Sequence, residues 1–174
     1  MVATPLTAAP ASASPAPDTP RWLDDEEQAT WRAFWLTTRT MANAFERDLQ
    51  RETGLPMSYY EILVQLSEAP ERTLRMSQLA HYSNVSRSAL SHAVGRLEAN
   101  GWVERRDCPT DRRGALAILT DDGFATLEAA APAHVESVRR HLFDRLDADD
   151  LAELHRLSDK LAAQFNDEGA PSRP

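Results

Sequence analysis

A mainly α fold with one small β-hairpin wing is predicted for this chain, and three features predict it. Apolar residues recur at three- and four-residue steps through most of the stretch from Asp24 to Phe165, which is the period of amphipathic helices. That period is interrupted once, by two short alternating runs, Trp102–Arg106 and Ala115–Leu119. Helix stops at Gly54-Leu55-Pro56, Ala69-Pro70 and Asn100-Gly101 cut the helical part into several pieces.

The first helix is expected over Asp24 to Gln50. Trp31, Phe34, Trp35, Met41, Phe45 and Leu49 form its apolar stripe, with Arg32, Arg39, Arg47 and Asp48 off it. So much aromatic area must pack against something large, either the chain's own domain or a second subunit. Ser58 with Glu61 three residues on reads as a capping box opening a second helix, whose buried stripe is Ile62, Leu63 and Leu66. A short helix follows over Ser77 to Tyr82, with Leu79 and Ala80 inward, and then a turn at Ser83-Asn84-Val85. Ser86 caps the next helix, Arg87 to Asn100, with Leu90, Val94 and Leu97 inward. The two alternating runs then make a hairpin around an Asp107–Gly114 loop. Thr120 caps a helix that Pro132 must kink or split, with a second arm to about Arg145. Asp147 caps the last helix, striped by Leu151, Leu154, Leu157 and Leu161.

At 174 residues and 42% hydrophobic, the chain suffices for one compact domain, or one domain with an attached helical module. The expected organisation is a flexible tail at 1–20, an N-terminal dimerisation helix at 21–56, a winged helix-turn-helix DNA-binding domain at 57–120, C-terminal dimerisation helices at 121–166 and a tail at 167–174. The first tail is Ala, Pro, Ser and Thr without an apolar pattern, so it cannot offset its ordering entropy. It lacks the basic and apolar regions of a signal peptide, and no apolar run approaches membrane-spanning length, so a cytoplasmic protein without a membrane partner is expected. A single cysteine, Cys108, excludes an internal disulfide framework. No nucleophile elbow, phosphate loop or metalloprotease helix is present, so no enzyme, catalytic residue, metal site or cofactor is expected.

The net charge of −8 argues against nucleic acid until its distribution is considered. From Arg72 to Arg113 there are eight arginines against four acids, a surplus of four that leaves the remainder at −12. Charge alone does not separate a DNA face from a solvated surface. The order helix, helix, short helix, turn, helix, hairpin does, because it is that of a winged helix-turn-helix. The second helix of such a pair lays its outer side chains into the major groove, and the wing brings arginine to a minor groove of negative potential. The outward positions here are Arg87, Ser88, Ser91, His92 and Arg96, with no carboxylate before Glu98, and Arg112 and Arg113 lie side by side in the wing.

The stretch from Leu74 to Gly123 resembles the MarR family through its DNA-binding domain. The matching pieces are Leu79-Ala80, Arg96-Leu97-Glu98, Gly101-Trp102-Val103-Glu104-Arg105, Asp111-Arg112-Arg113, and Leu119-Thr120 followed by Gly123. With the flanking helices the resemblance covers about Leu23 to Phe165. It implies a homodimer held by N- and C-terminal helices, a double-stranded DNA partner with an imperfect palindromic operator, and a repressor released by a small, often aromatic, effector. It also implies that the wing arginine is Arg113, with Asp111 as its orienting partner.

Competing readings stand beside several residues. Arg112 is placed for phosphate or for water, and Arg96 for phosphate rather than a base. Trp31, Trp35 and Tyr60 are candidates for a ligand pocket, although helix-spaced aromatics more often form core or interface. Cys108 beside Pro109 reads as structural rather than redox-active. His134 and His141, seven apart, make at most half of a metal site. A second functional reading is a winged-helix scaffold used as a protein-interaction module without DNA binding.

Overall fold

The computed structural model describes residues 20–83, 86–108 and 111–166, apart from the side chains at 112, 113 and 166. The elements run α1 (Asp25–Thr53), α2 (Met57–Glu68), a 3-10 turn at Pro70–Arg72, β1 (Thr73–Arg75), α3 (Met76–Tyr82), α4 (Arg87–Ala99), β2 (Val103–Cys108), β3 (Asp111–Leu119), α5 (Asp121–His141), a second 3-10 turn at Phe143–Arg145, and α6 (Ala148–Asn166). The fold is mainly α with a small antiparallel sheet in the order β1-β3-β2. The tails expected at 1–20 and 167–174 lie outside the described residues except for Pro20, as do Asn84 and Val85 of the turn. The chain divides into two compact units at Thr37/Thr38, inside α1.

In the second unit the expected inward stripes meet. Ile62, Leu63 and Leu66 of α2, Leu79 of α3 and Leu90, Val94 and Leu97 of α4 join Val103, Ala117, Leu119 and Leu127 in one buried cluster. The helix-turn-helix is therefore mounted on α2 and backed by the sheet. Caps place its ends. The Ser86 hydroxyl accepts the Ala89 N–H at 3.2 Å, and Thr120 accepts the Gly123 N–H at 3.0 Å while donating to the Gly101 carbonyl at 2.7 Å. Gly54 and Gly101 close α1 and α4 at φ +72° and +76°, a region open to glycine at no steric cost.

Several expectations need correction. α2 begins at Met57 with Pro56 at its N-cap, so Ser58 is already inside the first turn and no Ser58–Glu61 capping box forms. The Met57 N–H is taken instead by Glu46 of α1 at 3.1 Å. The hairpin strands run well beyond the alternating runs. Asp107 pairs with Ala115, and Cys108 with Asp111 across a bulge, so the expected eight-residue loop is largely strand. A third strand, β1, pairs Thr73–Arg75 with Leu116–Ile118. Pro132 does not split α5. Leu127 and Ala130 anchor the helix on one side of it and the buried Ser137 on the other, and that packing outweighs one lost backbone hydrogen bond. The helix then stops at His141, and the arm to Arg145 is completed by the 3-10 turn.

Candidate nucleic-acid interface

The period of α4 sorts its residues into two faces. With Leu90, Val94 and Leu97 buried, the positions between them must turn outward, and Arg87, Ser88, Ser91, His92 and Arg96 are all exposed. The only acid on the helix, Glu98, does not share that face. It turns toward β2, where Arg105 donates through Nε to Oε2 at 2.5 Å and through its backbone N–H to Oε1 at 3.2 Å. The outer surface of α4 is thus cationic, with short hydroxyls and one imidazole between two arginines, a set suited to phosphate and base-edge contacts.

A cleft of about 370 Å³ separates this helix from the wing, lined among others by Arg75, Ser77, Arg87, Ser91, Arg105 and Asp111. Three guanidinium-bearing residues from three elements converge on it. Asp111 is exposed and lies 3.9 Å from the Arg75 guanidinium of β1. The side chains of Arg112 and Arg113 lie outside the described residues, although both backbones belong to β3. Arg105 enters the sequence reading only as the end of a matching piece of the family resemblance, and Arg75 does not stand out beyond the general surplus of arginine. The missing signal was β1, a three-residue strand too short to show an alternation.

The aromatic candidates fall in two places. Trp31 and Trp35 stack on each other at 5.4 Å between ring centroids, and each is half-exposed. Tyr60 is buried on α2, 4.7 Å from the His134 ring, beside a cavity of about 330 Å³ that Glu61 and Gln65 also line. Burial pushes the Tyr60 hydroxyl up and the His134 imidazole down, and it raises the Glu61 carboxyl with help from Glu46. Cys108 is buried. Among the described residues no three His, Cys, Asp or Glu side chains group as metal ligands.

Asp48 departs from its expected place off the buried stripe. It is 7% exposed, and its carboxylate accepts from Ser137 at 2.9 Å and meets His141 Nε2 at 2.8 Å. Arg51 lies 3.2 Å away and Arg140 3.6 Å. A carboxylate so surrounded can be buried because the lost water is replaced donor by donor. The sequence hides this, since all the α5 partners lie about ninety residues downstream.

Comparison with known proteins accords with this architecture. The family model described as MarR family matches residues 53–114, from the end of α1 into the wing. The chain is 34% identical to the multiple antibiotic resistance protein MarR of Salmonella typhimurium over 48% of its own length and 58% of that protein. It is 32% identical to the HTH-type transcriptional repressor YetL of Bacillus subtilis over 49% of this chain and 51% of that one. The chain thus spans little more than half of these curated relatives. Among solved structures, it resembles a MarR family transcriptional regulator from Streptomyces coelicolor, crystallised in complex with DNA, with 48% identity and a TM-score of 0.77 over 83% of this chain and 91% of that one. No described helix is long and apolar enough to cross a membrane. Identity of this extent over nearly the whole of a solved relative, with a family match that spans the helix-turn-helix and reaches into the wing, makes the chain a member of the MarR family of winged-helix transcriptional regulators.

Proposed function

We propose that the chain is a sequence-specific regulator that binds an imperfect palindromic operator as a homodimer. The observation that carries this reading is the outer face of α4, where five polar or basic side chains are exposed and the single acid is turned away onto Arg105. In this reading Ser88, Ser91 and His92 meet base edges in the major groove, Arg87 and Arg96 hold phosphates, and Arg113 enters the minor groove from the wing. The family's regulators, non-enzymatic DNA-binding proteins, and the DNA complex of the Streptomyces relative support it. Repression, with release by a small aromatic effector, is the finer part of the proposal. The name of the Bacillus relative supports the first, and the cavity where Tyr60 and the His134 ring meet suits the second.

Anisotropy titrations on an operator duplex and a random duplex, at several salt concentrations, test this. Arg113→Ala is expected to weaken both complexes and to reduce the salt slope by about one counterion. Ser91→Ala or His92→Ala is expected to narrow the gap between the two duplexes, by about 1–3 kcal/mol per lost base contact. Repeating the titration with a panel of aromatic acids tests release. Absence of any wild-type complex in dilute salt would give the chain to the alternative reading, a winged-helix module for protein association.

A further inference from the structure

Arg105 connects two elements that a DNA reader must hold in a fixed relation. From β2, at the base of the wing, it bonds to α4 at two points about two turns apart, Glu98 and Ser91. Its Nε and backbone N–H both donate to Glu98, and its Nη2 donates to the Ser91 carbonyl at 3.4 Å. Between those points lies Gly95, where a Cβ would stand 3.1 Å from Nη2. A side chain at residue 95 would press on the guanidinium, which would have to give by a few tenths of an ångström. Arg105 and Glu98 are each about one-third exposed, so the pair is only partly screened. Arg106, next along the strand, is bound to Glu104 on the same strand and makes no such bridge.

We propose that Arg105, with Glu98, is a positioning residue for DNA recognition, a clasp that sets the register of α4 against the wing. The inference rests on the DNA-binding reading above and adds a specificity role to a pair that need not touch DNA. A major-groove helix and a minor-groove arginine engage one half-site together only if their separation matches the step between adjacent grooves. The clasp holds the backbone of Ser91, whose side chain faces outward beside His92. Loosening it leaves every outer side chain of α4 and the wing in place. What is lost is their simultaneous fit to one sequence.

Two variants of opposite charge separate the clasp from simple electrostatics. Glu98→Gln removes an acid and, by charge alone, tightens binding to any duplex. Arg105→Met keeps the aliphatic stem, removes a cation and weakens binding to any duplex. The clasp requires both to lose discrimination. The probes are an operator duplex selected by the wild-type protein from a random-sequence library and an unrelated duplex of equal length. For both variants the ratio of the two affinities is expected to fall roughly tenfold, about the worth of one bidentate base contact. Affinity for the unrelated duplex should meanwhile move in opposite directions. Thermal unfolding confirms that both variants are folded. Should Arg105→Met unfold, Glu98→Gln, which exchanges one oxygen for an amide nitrogen, carries the test alone. Unchanged ratios, with affinities moving only as charge dictates, overturn the clasp. A wild-type protein that binds neither duplex removes the DNA-binding reading and the clasp together.

Discussion

Asp48 shows how one side chain can join distant parts of the chain. On α1 it is hydrogen-bonded to Ser137 and His141 of α5, with Ser137 itself almost wholly buried. Hydrogen bonds from His141 and Ser137 hold the Asp48 carboxyl below its ordinary value of 3.8, with Arg51 adding to them and burial opposing. A carboxyl lowered on folding stabilises the fold at pH values above 3.8. That contribution is lost as pH falls below 3.8 and through the lowered folded value, because the unfolded chain takes up the proton first. Asp48→Asn keeps the shape and an acceptor for Ser137 but loses the charge. It is expected to cost about 2 kcal/mol at neutral pH, the worth of hydrogen bonds to a charged group. Urea unfolding across pH should show the difference from wild type shrinking as the solution is acidified through this range. A difference that persists undiminished in strong acid would assign it to something other than the carboxylate charge.

Among elements, the junction of α4, β2 and α5 is the most tightly determined. Thr120 accepts from Gly123, donates to the Gly101 carbonyl, and sends its own N–H to the Trp102 carbonyl at 3.1 Å. The first turn of α5 is thereby pressed onto the wing base. A Cβ at Gly123 would fall 2.1 Å from the Trp102 carbonyl oxygen and 2.8 Å from Leu119 Cδ1. Because the nearer obstacle is backbone, it cannot swing aside. Gly123→Ala is therefore expected to destabilise by about 3 kcal/mol or more, which overpacking of a rigid site costs. For a chain of this size the thermal midpoint should drop by about 6–12 °C. An unchanged midpoint would show that α5 can back away from the wing freely. Residues 119, 120 and 123 are also pieces of the family resemblance, and this close approach is a physical reason for the glycine. The elements misread from sequence are instructive in the same way. Ser58-x-x-Glu61 has the spacing of a capping box, but Pro56 and a carboxylate from α1 start the helix two residues earlier. Strand pairing at Asp107 and Asp111 was hidden by polar residues that read as loop, because cross-strand hydrogen bonds are made by backbone whatever the side chain.

At the scale of the whole molecule, apolar surface remains that one chain does not cover. On α6 the stripe Leu151, Leu154, Leu157, Leu161 and Phe165 is exposed along its length, with Leu154, the least open, still 38% accessible. In the first unit Trp22 is 81% exposed and Trp31 and Leu36 half or more. An apolar stripe left open along a whole helix, as on α6, marks an interface. The proposed occupant is a second copy, since the proposed palindromic operator requires a two-fold axis with recognition helices about 34 Å apart. Light scattering at micromolar concentration should give a dimer mass. The double variant Leu154→Asp, Leu161→Asp should shift it toward monomer while the buried cluster around α2 and α4, remote in sequence from both sites, still unfolds cooperatively. A monomeric wild type would refute the dimer.

What the sequence determined by itself is what periodicity and local chemistry encode. The helix identities, the inward leucines of α2, α3 and α4, the caps at Ser86, Thr120 and Asp147, and the outward polar set of α4 all follow from residues within a turn or two of one another. The tertiary structure alone decided three other things. It placed a third strand, Thr73–Arg75, whose partners lie more than forty residues away. It buried Asp48, which reads as surface until Ser137 and His141 arrive. It turned Glu98 from an apparent blemish on a basic helix into the partner of Arg105. Each depends on pairing between segments far apart in the chain. A periodicity reports which face of an element is buried, but not which distant residue meets that face.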